Sequence, residues 1–241
     1  MISFQVTQAD DEKSSQLRSS GYVSRLEEYW YGTSHPFYDL MIWFVFLPMG
    51  GEAACRRQFA QWVDVQSGEK LLSLGCGTGD TERAILNLVP TAQIVAIDLG
   101  VGQISIAKRK DATGSIGFCV GNASQTQTGL GTDSFDRVVI TLALHEMPHS
   151  LRLAVLGEAR RVCKPEGRVI AIEHAKLESM MSQAIRYLWW FGWLPGNPEV
   201  ETSRDLQQRG LATEMQEAGL EVLERYTTDL GWIEGVVSVP K

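Results

Sequence analysis

The sequence predicts an α/β fold built on one doubly wound, mostly parallel sheet, and two observations lead to this prediction. Between residues 70 and 173, short apolar runs alternate with amphipathic segments, which is the pattern of right-handed strand–helix–strand crossovers. The first apolar run also passes directly into a glycine-rich turn, as the first strand of such a sheet does. Two more strands near the C-terminus bring the expected total to seven.

Each element follows from local periodicity and its flanking turn residues. The expected strands are 70–74, 93–98, 116–120, 135–142, 168–173, 220–226 and 232–239. The expected helices of the sheet region are 81–88, 103–110, 151–162 and 204–218, and residues 164–167 read as a turn. Helical patterns at 37–46 and 52–63 predict N-terminal helices ahead of the first strand.

Composition excludes several classes of protein. The formal net charge is −7, so general binding to polyanionic nucleic acid is not expected. The four cysteines lie far apart without a CxxC pair, which argues against a structural zinc site and a disulfide scaffold. Residues 1–20 lack the basic-then-apolar order of a secretory signal, so we expect no signal peptide there, and the longest apolar stretch is shorter than the about 20 residues that span a bilayer. We therefore expect a cytoplasmic protein.

The glycine turn is the strongest functional signal. Gly75, Gly77 and Gly79 follow the first predicted strand, where a tight turn and a close approach of the backbone to a ligand require glycine. Asp98 ends the second predicted strand, where a carboxylate can accept hydrogen bonds from ribose hydroxyls. Together these features predict a cofactor that contains a nucleoside.

The spacing of the turn bears on which cofactor is bound. The turn reads GxGxG, and Asp80 stands where the dinucleotide fingerprint has its third glycine. A carboxylate there would repel a pyrophosphate at the start of the following helix. A cationic cofactor without phosphate, such as S-adenosylmethionine, fits better. A nicotinamide-dependent oxidoreductase is the less favoured alternative.

Residues 70–174 resemble the core of class I S-adenosylmethionine-dependent methyltransferases, and in particular the ubiquinone/menaquinone C-methyltransferase branch. The resemblance is carried by segments 37–41, 77–80, 134–138 and 158–168. It implies a Rossmann-like fold with one antiparallel strand near the C-terminus. It also implies S-adenosylmethionine as cofactor, S-adenosylhomocysteine as product, and transfer of the methyl group to a small lipophilic or aromatic acceptor by direct displacement at the methyl carbon.

The resemblance further implies which residues hold the cofactor. The glycine turn would wrap the methionine portion, Asp98 would hold the ribose, Leu99 and Asn122 would contact the adenine, and Leu142 would lie under the cofactor. The implied set is Gly75, Cys76, Gly77, Gly79, Asp98, Leu99, Asn122, Ala123 and Leu142.

Two residues depart from the family pattern. Ser73 stands where an acid is usual, and Asn122 stands where an aspartate is usual. Asn122 could still accept from the adenine amino group through its carbonyl, and Asp80 could compensate for the charge lost at Ser73. The departures leave open a noncatalytic cofactor-binding protein, or altered chemistry such as the amino transfer of rhodoquinone-forming relatives.

Three histidines are the candidate catalytic residues. His145 and His149 follow the fourth predicted strand, and His174 ends the fifth, so all three come near strand ends that face the crevice. An imidazole titrates near neutral pH and could act as a general base, whereas the alternative is that His145 and His149 cap or pack the next helix. The spacing is not diagnostic of a metal site, so no metal is expected.

Aromatic residues predict the walls of the acceptor pocket. Tyr31, His35 and Tyr38 belong to the N-terminal region, and Trp189 belongs to an aromatic insertion after the fifth strand. Aromatic walls suit planar or apolar acceptors, although packing of helices onto the sheet would explain the same residues. Segment 188–194 could also contact a membrane surface.

These expectations divide the chain, as one domain over residues 1–241, into four parts. Residues 1–66 form a tail and cap helices, 67–174 the cofactor-binding core, 175–203 the aromatic substrate-side insertion, and 204–241 a C-terminal helix and strands. The expected partner is a small-molecule acceptor rather than nucleic acid. The oligomeric state is left open.

Overall fold

The computed structural model describes residues 38–126, 129–177, 179–190 and 199–241. These residues form eight α-helices and seven strands. The helices are α1 (Tyr38–Phe46), α2 (Glu52–Val63), α3 (Asp80–Leu88), α4 (Val101–Lys110), α5 (His149–Val162), α6 (Met180–Trp190), α7 (Glu199–Arg209) and α8 (Leu211–Glu217). The strands are β1 (Lys70–Leu74), β2 (Gln93–Asp98), β3 (Ile116–Val120), β4 (Phe135–Thr141), β5 (Cys163–His174), β6 (Leu220–Thr227) and β7 (Ile233–Pro240).

All seven strands join one sheet in the order β3-β2-β1-β4-β5-β7-β6. Strands β1 to β5 pair in parallel, and β7 is antiparallel to both of its neighbours. The prediction of a seven-stranded, mostly parallel sheet with one antiparallel strand near the C-terminus is therefore confirmed. Because β2 and β4 lie on opposite sides of β1, the chain order reverses there, and the carboxyl ends of these strands form the usual ligand crevice.

Helices cover both faces of the sheet and bury its apolar residues in two layers. Leu72 and Leu74 of β1 face a cluster that includes residues of α5, α7 and α8. Leu71, which points to the opposite face, belongs to a cluster with residues of α2, α3 and α4. Within the described part of the chain, no helix has the length and apolar character that a bilayer span requires.

Two local expectations differ from the structure. The single helix expected over 204–218 is two helices, because Gly210 between them has a φ of +86°, a value that interrupts helical geometry. The turn expected at 164–167 lies inside β5, which starts at Cys163 and pairs with β4 through an irregular register near Phe135. Turn-forming residues are tolerated there because the ladder is already irregular.

A buried arginine ties α7 and α8 to α5. Arg152 is completely buried, and its Nε and Nη2 atoms donate to the Glu214 carboxylate at 2.7 and 2.6 Å. Its Nη2 also donates to Asp205 at 2.6 Å, and its Nη1 donates to the Met147 carbonyl at 2.7 Å. This network positions α7, whose first residue, Glu199, reaches the crevice described next.

Candidate active site

The glycine turn after β1 opens a space at the carboxyl edge of the sheet. Gly75 has a φ of +74°, and a Cβ atom there would lie 2.8 Å from the Cβ of Ala143, so no larger residue fits. Gly77 has a φ of +54°, but a Cβ atom there would meet nothing within 4 Å. The first glycine lets the loops after β1 and β4 touch, and the second lines open space that a ligand can occupy.

Asp98 holds the turn in place. One carboxylate oxygen accepts the Gly77 N–H at 2.8 Å, and the other accepts the Gly100 N–H at 2.8 Å. Each carboxylate oxygen has a second lone pair, so the same group can also accept from ribose hydroxyls. The structure thus places Asp98 and the glycine turn together, as expected from sequence.

Asn122 is oriented differently from our expectation. Its Oδ1 atom accepts the Ser124 N–H at 3.0 Å and the Ser124 hydroxyl at 2.9 Å, which engages the carbonyl that we expected to face the adenine. A backbone N–H can only donate, so this contact also identifies which terminal atom is the oxygen. The buried Nδ2 has no hydrogen-bond partner among the described residues, and it is an N–H donor suited to a ring nitrogen.

Three buried polar atoms along this edge lack partners in the described structure. They are Glu82 Oε2 beside β1, Thr141 Oγ1 at the end of β4, and Asn122 Nδ2 just after β3. Buried polar groups in folded proteins are normally hydrogen-bonded, so these three atoms are candidates to bond a polar ligand. S-adenosylmethionine fits this edge, because it is polar at its amino-acid end, its ribose and its adenine.

The remaining cofactor residues of the sequence analysis lie at the same edge. Leu142 has a φ of +50°, a conformation that is strained for leucine and typical of functional sites, and its N–H donates to the Ile172 carbonyl at 2.8 Å. Burial, together with the nearby charges of Glu82 and Asp98, raises the pKa of the Cys76 thiol well above its usual value, so that thiol stays neutral. Leu99 follows β2 directly, and Ala123 packs against the core after β3.

Asp80 does not supply the charge that Ser73 lacks. Its carboxylate contacts Arg83, Lys110 and the Thr78 hydroxyl. The acid that faces Ser73 is Glu82, whose Oε1 accepts the serine hydroxyl at 2.5 Å. Sequence reasoning missed Glu82, although its place in the first turn of the helix after the glycine turn was a signal that could have found it.

A histidine–glutamate pair lies next to this turn, after β4 and β5. His145 Nδ1 is 2.9 Å from Glu173 Oε2, and both side chains are buried. The other Glu173 oxygen accepts the N–H groups of Leu144 and His145 at 2.6 and 3.3 Å. Glu173 therefore fixes both the ring and the backbone of His145. Sequence reasoning named its neighbour His174 but missed Glu173 itself.

Burial and nearby charges shift the pKa values of the two buried histidines in opposite directions. Burial alone lowers the pKa of His145, but the Glu173 carboxylate and the charges of Glu199 and Glu146 raise it to about 9. Burial, and then the positive charges of His145 and Arg186, lower the pKa of His174 well below its usual value. The two rings stack with centroids 4.3 Å apart, so a protonated His145 lies against a neutral His174.

Carboxylates make the crevice a favourable place for a cation. Glu199 of α7 comes within 3.8 Å of His145 Nε2. Burial, and then the negative charge of Glu199, raise the pKa of Glu146, and Asp98 contributes to the same shift. The raised pKa favours the neutral form of Glu146, so the charges that favour a sulfonium over a pyrophosphate here are those of Glu199 and Asp98.

The other predicted residues are placed as follows. His149 lies apart from the pair, because its ring contacts Glu214 at 3.1 Å and Glu217 at 3.6 Å on α8. Tyr31 and His35 lie outside the described residues, and for Tyr38 in α1 and Trp189 in α6 only the backbone is described. The acceptor side of the site thus stays a prediction.

His145, Glu173 and His174 could also offer metal ligands. One ligand atom from each lies within 4.8 Å of the others. However, His145 Nδ1 and Glu173 Oε2 already bond each other at 2.9 Å, and this bond would have to break before both atoms could bind one ion. We therefore interpret the group as a hydrogen-bonded pair beside a neutral histidine.

The sequence is similar to those of known methyltransferases. Residues 71–167 match a family described as a methyltransferase domain. The demethylmenaquinone methyltransferase of Oceanobacillus iheyensis is 33% identical over 122 residues, which cover 49% of this chain and 50% of the relative. The ubiquinone/menaquinone biosynthesis C-methyltransferase UbiE of Pseudomonas syringae pv. tomato is 26% identical over 202 residues, or 81% of this chain and 76% of the relative.

Solved structures agree on the fold. A methyltransferase described as S-adenosylmethionine-dependent, from Aquifex aeolicus, has a TM-score of 0.56 at 20% identity and covers 77% of this chain and 89% of that one. A structure of a Haloferax volcanii methyltransferase activator with its putative methyltransferase has a TM-score of 0.60 at 15% identity, covering 89% of this chain and 96% of that one. At these identities the likeness concerns the fold alone.

Proposed function

We propose that this chain, which contains a class I S-adenosylmethionine-dependent methyltransferase domain and resembles the quinone C-methyltransferases, transfers a methyl group to a small lipophilic or aromatic acceptor. The observation that carries the proposal is the buried His145–Glu173 pair beside the turn that Asp98 anchors. The turn and Asp98 would bind the cofactor, and the pair would remove a proton from the acceptor.

When bound, the cofactor supplies an electrophilic methyl group on a sulfonium. The chain must then align the acceptor with that methyl, exclude water and remove a proton. His145 is positioned for the last task, because Glu173 engages Nδ1 and leaves Nε2 to receive the proton of an acceptor hydroxyl. Glu173 holds the ring in one orientation and stabilises the imidazolium that results.

The acceptor class follows from this arrangement and from the relatives. A phenol or quinol carries a hydroxyl proton at neutral pH and becomes a nucleophile at oxygen or at the adjacent ring carbon once that proton leaves. Two relatives are named for steps of menaquinone or ubiquinone synthesis, which supports an acceptor of this type. Tyr31, His35, Tyr38 and Trp189 are proposed as its aromatic walls. We further propose that the reaction takes place in the cytoplasm, without nucleic acid, and that residues 1–241 act as one domain.

The test is methyl transfer from labelled S-adenosylmethionine to a panel containing a demethylmenaquinol, a simple phenol and a thiol. We expect label in the quinol or the phenol, with formation of S-adenosylhomocysteine in equal amount. Formation of S-adenosylhomocysteine without a methylated product would favour altered chemistry. Activity with the thiol alone would contradict the acceptor class.

Replacing Asp98 by alanine is expected to weaken the binding of S-adenosylhomocysteine. The change leaves the Gly77 N–H without its acceptor and the ribose hydroxyls without theirs, and an interaction of this kind contributes about 1–3 kcal/mol. Isothermal titration measures the loss directly. Asp136→Ala is a matched control, because that acid bonds Lys164 and the backbone N–H of Lys70. Lys70 is the first residue of β1 and lies at the end of the strand opposite the glycine turn. Equal affinity of wild type and Asp98→Ala would remove Asp98 from the site.

A further inference from the structure

Glu82 is a buried acid whose carboxylate makes no ion pair in the described structure. Its side chain is fully buried on the first turn of α3, directly after the glycine turn. Oε1 accepts the Ser73 hydroxyl, but Oε2 has no hydrogen bond among the described residues. Burying a carboxylate in this way is costly unless a cation or a set of donors compensates for it.

No described cation fills this role. Arg56 acts on Glu82 through its charge, but its guanidinium bonds the Thr81 hydroxyl at 3.0 Å and the Glu52 carboxylate at 3.4 Å. Burial raises the pKa of Glu82, which is the effect of an acid without sufficient compensation. A bound cation that reached Oε2 would relieve this cost.

Thr141 provides a second, independent sign of a ligand at the same place. Ser73 in β1 pairs with Val139 in β4, so Ser73, Val139 and Thr141 point to one face of the sheet. The buried Thr141 hydroxyl also has no hydrogen-bond partner in the described structure. One of the two polar atoms without partners belongs to the acid that bonds Ser73, one residue before the end of β1, and the other belongs to the last residue of the neighbouring strand β4.

We infer that Glu82 binds the α-ammonium of the cofactor's methionine end. Glu82, on α3, would thus take the role that an acid at residue 73 on β1 would otherwise have. This inference rests on the proposed use of S-adenosylmethionine. The sulfonium has no hydrogen to donate, whereas the ammonium offers three N–H donors. One ammonium therefore has enough donors for both Glu82 Oε2 and the Thr141 hydroxyl. Ser73 keeps a role, because its hydroxyl holds the other carboxylate oxygen in place.

The test compares two ligands that share the adenosine and sulfur, of which only one carries the ammonium that Glu82 would bind. S-adenosylhomocysteine carries the ammonium, and 5′-methylthioadenosine lacks the amino-acid end. In isothermal titration, Glu82→Gln is expected to weaken S-adenosylhomocysteine binding by about 10- to 100-fold, since a charge-assisted hydrogen bond is lost. Binding of 5′-methylthioadenosine should not change beyond experimental error. Asp80→Asn, in the same helical turn but paired with Arg83 and Lys110, should leave the ratio of the two affinities unchanged.

The outcomes separate this inference from the proposed function. If wild type binds S-adenosylhomocysteine and Glu82→Gln binds it equally well, the inference is wrong and the proposed function stands. Equal losses for both ligands would show that Glu82 only shapes the turn. If wild type binds neither ligand, both proposals fail. Should Glu82→Gln not fold, the variant Ser73→Asp with Glu82→Gln restores an acid on β1. It should bind S-adenosylhomocysteine like wild type, and a selective loss of that ligand would contradict the inference.

Discussion

Replacing His145 by glutamine is expected to lower kcat for methyl transfer by about 10²- to 10⁴-fold, the usual contribution of a positioned general base. Glutamine is similar in size to histidine and can keep a hydrogen bond to Glu173, but it cannot take a proton from the acceptor. The measurement is turnover of the best acceptor found with labelled S-adenosylmethionine. Affinity for S-adenosylhomocysteine should be unchanged, since His145 is not assigned to the cofactor.

The pH profile tests the same role by a separate route. Glu173 raises the pKa of His145 to about 9, so the ring is protonated near neutral pH and cannot act as a base until it loses that proton. The kcat/KM for the acceptor should therefore rise with pH, with a midpoint above the ordinary value of 6.5 and no higher than about 9, because the cationic cofactor favours the neutral ring. His145→Gln should lack this rise.

His149→Gln is the matched control, because that ring contacts Glu214 and Glu217 on α8 rather than the pair. Equal turnover of wild type and His145→Gln, or a rate that does not depend on pH, would show that the acceptor loses its proton elsewhere.

Replacing Arg152 by methionine is expected to lower the free energy of unfolding by about 3–5 kcal/mol, because it leaves the fully buried Glu214 carboxylate without its cation. The loss should also loosen α7 and α8, which Arg152 ties to α5. Chemical denaturation monitored by circular dichroism measures the change.

Two variants show whether this loss comes from the buried charge. Arg209→Met removes a partner of the same Asp205, but both of those side chains are about two-fifths exposed, and we expect a change below about 1 kcal/mol. Arg152→Met combined with Glu214→Met should recover most of the stability, since apolar replacement of both partners removes the buried charges. A similar loss in the single and the double variant would instead indicate that packing around Arg152 dominates.

The parallel core of the fold was predictable because its signals are local. The bounds of β1, β2 and β3 agree with the prediction, since each is a short apolar run between turn residues. The break at Gly210 was missed, because one glycine in an amphipathic segment is often tolerated within a helix. Pro165 and Gly167 suggested a turn, and they lie in the segment of β5 between Cys163 and Arg168 that has no partner on β4, where the ladder shifts register.

In the site, too, features set by local spacing were predictable and features set by contacts between distant residues were not. The contact between the glycine turn and Asp98 was predictable because their spacing is set by two consecutive strands of one motif. Glu82 and Glu173 were missed because their importance depends on contacts across the sheet, with Ser73 nine residues away and His145 twenty-eight residues away. Asn122 was found, but the orientation of its amide depends on Ser124, which no spacing rule describes.

The measurement that tests the account most directly is isothermal titration of the wild-type chain with S-adenosylhomocysteine and, separately, with NAD. We predict one-site binding of S-adenosylhomocysteine in the micromolar range and no binding of NAD, because the carboxylates of the crevice repel a pyrophosphate. Binding of NAD, or of neither ligand, would contradict the proposal that this chain is an S-adenosylmethionine-dependent methyltransferase.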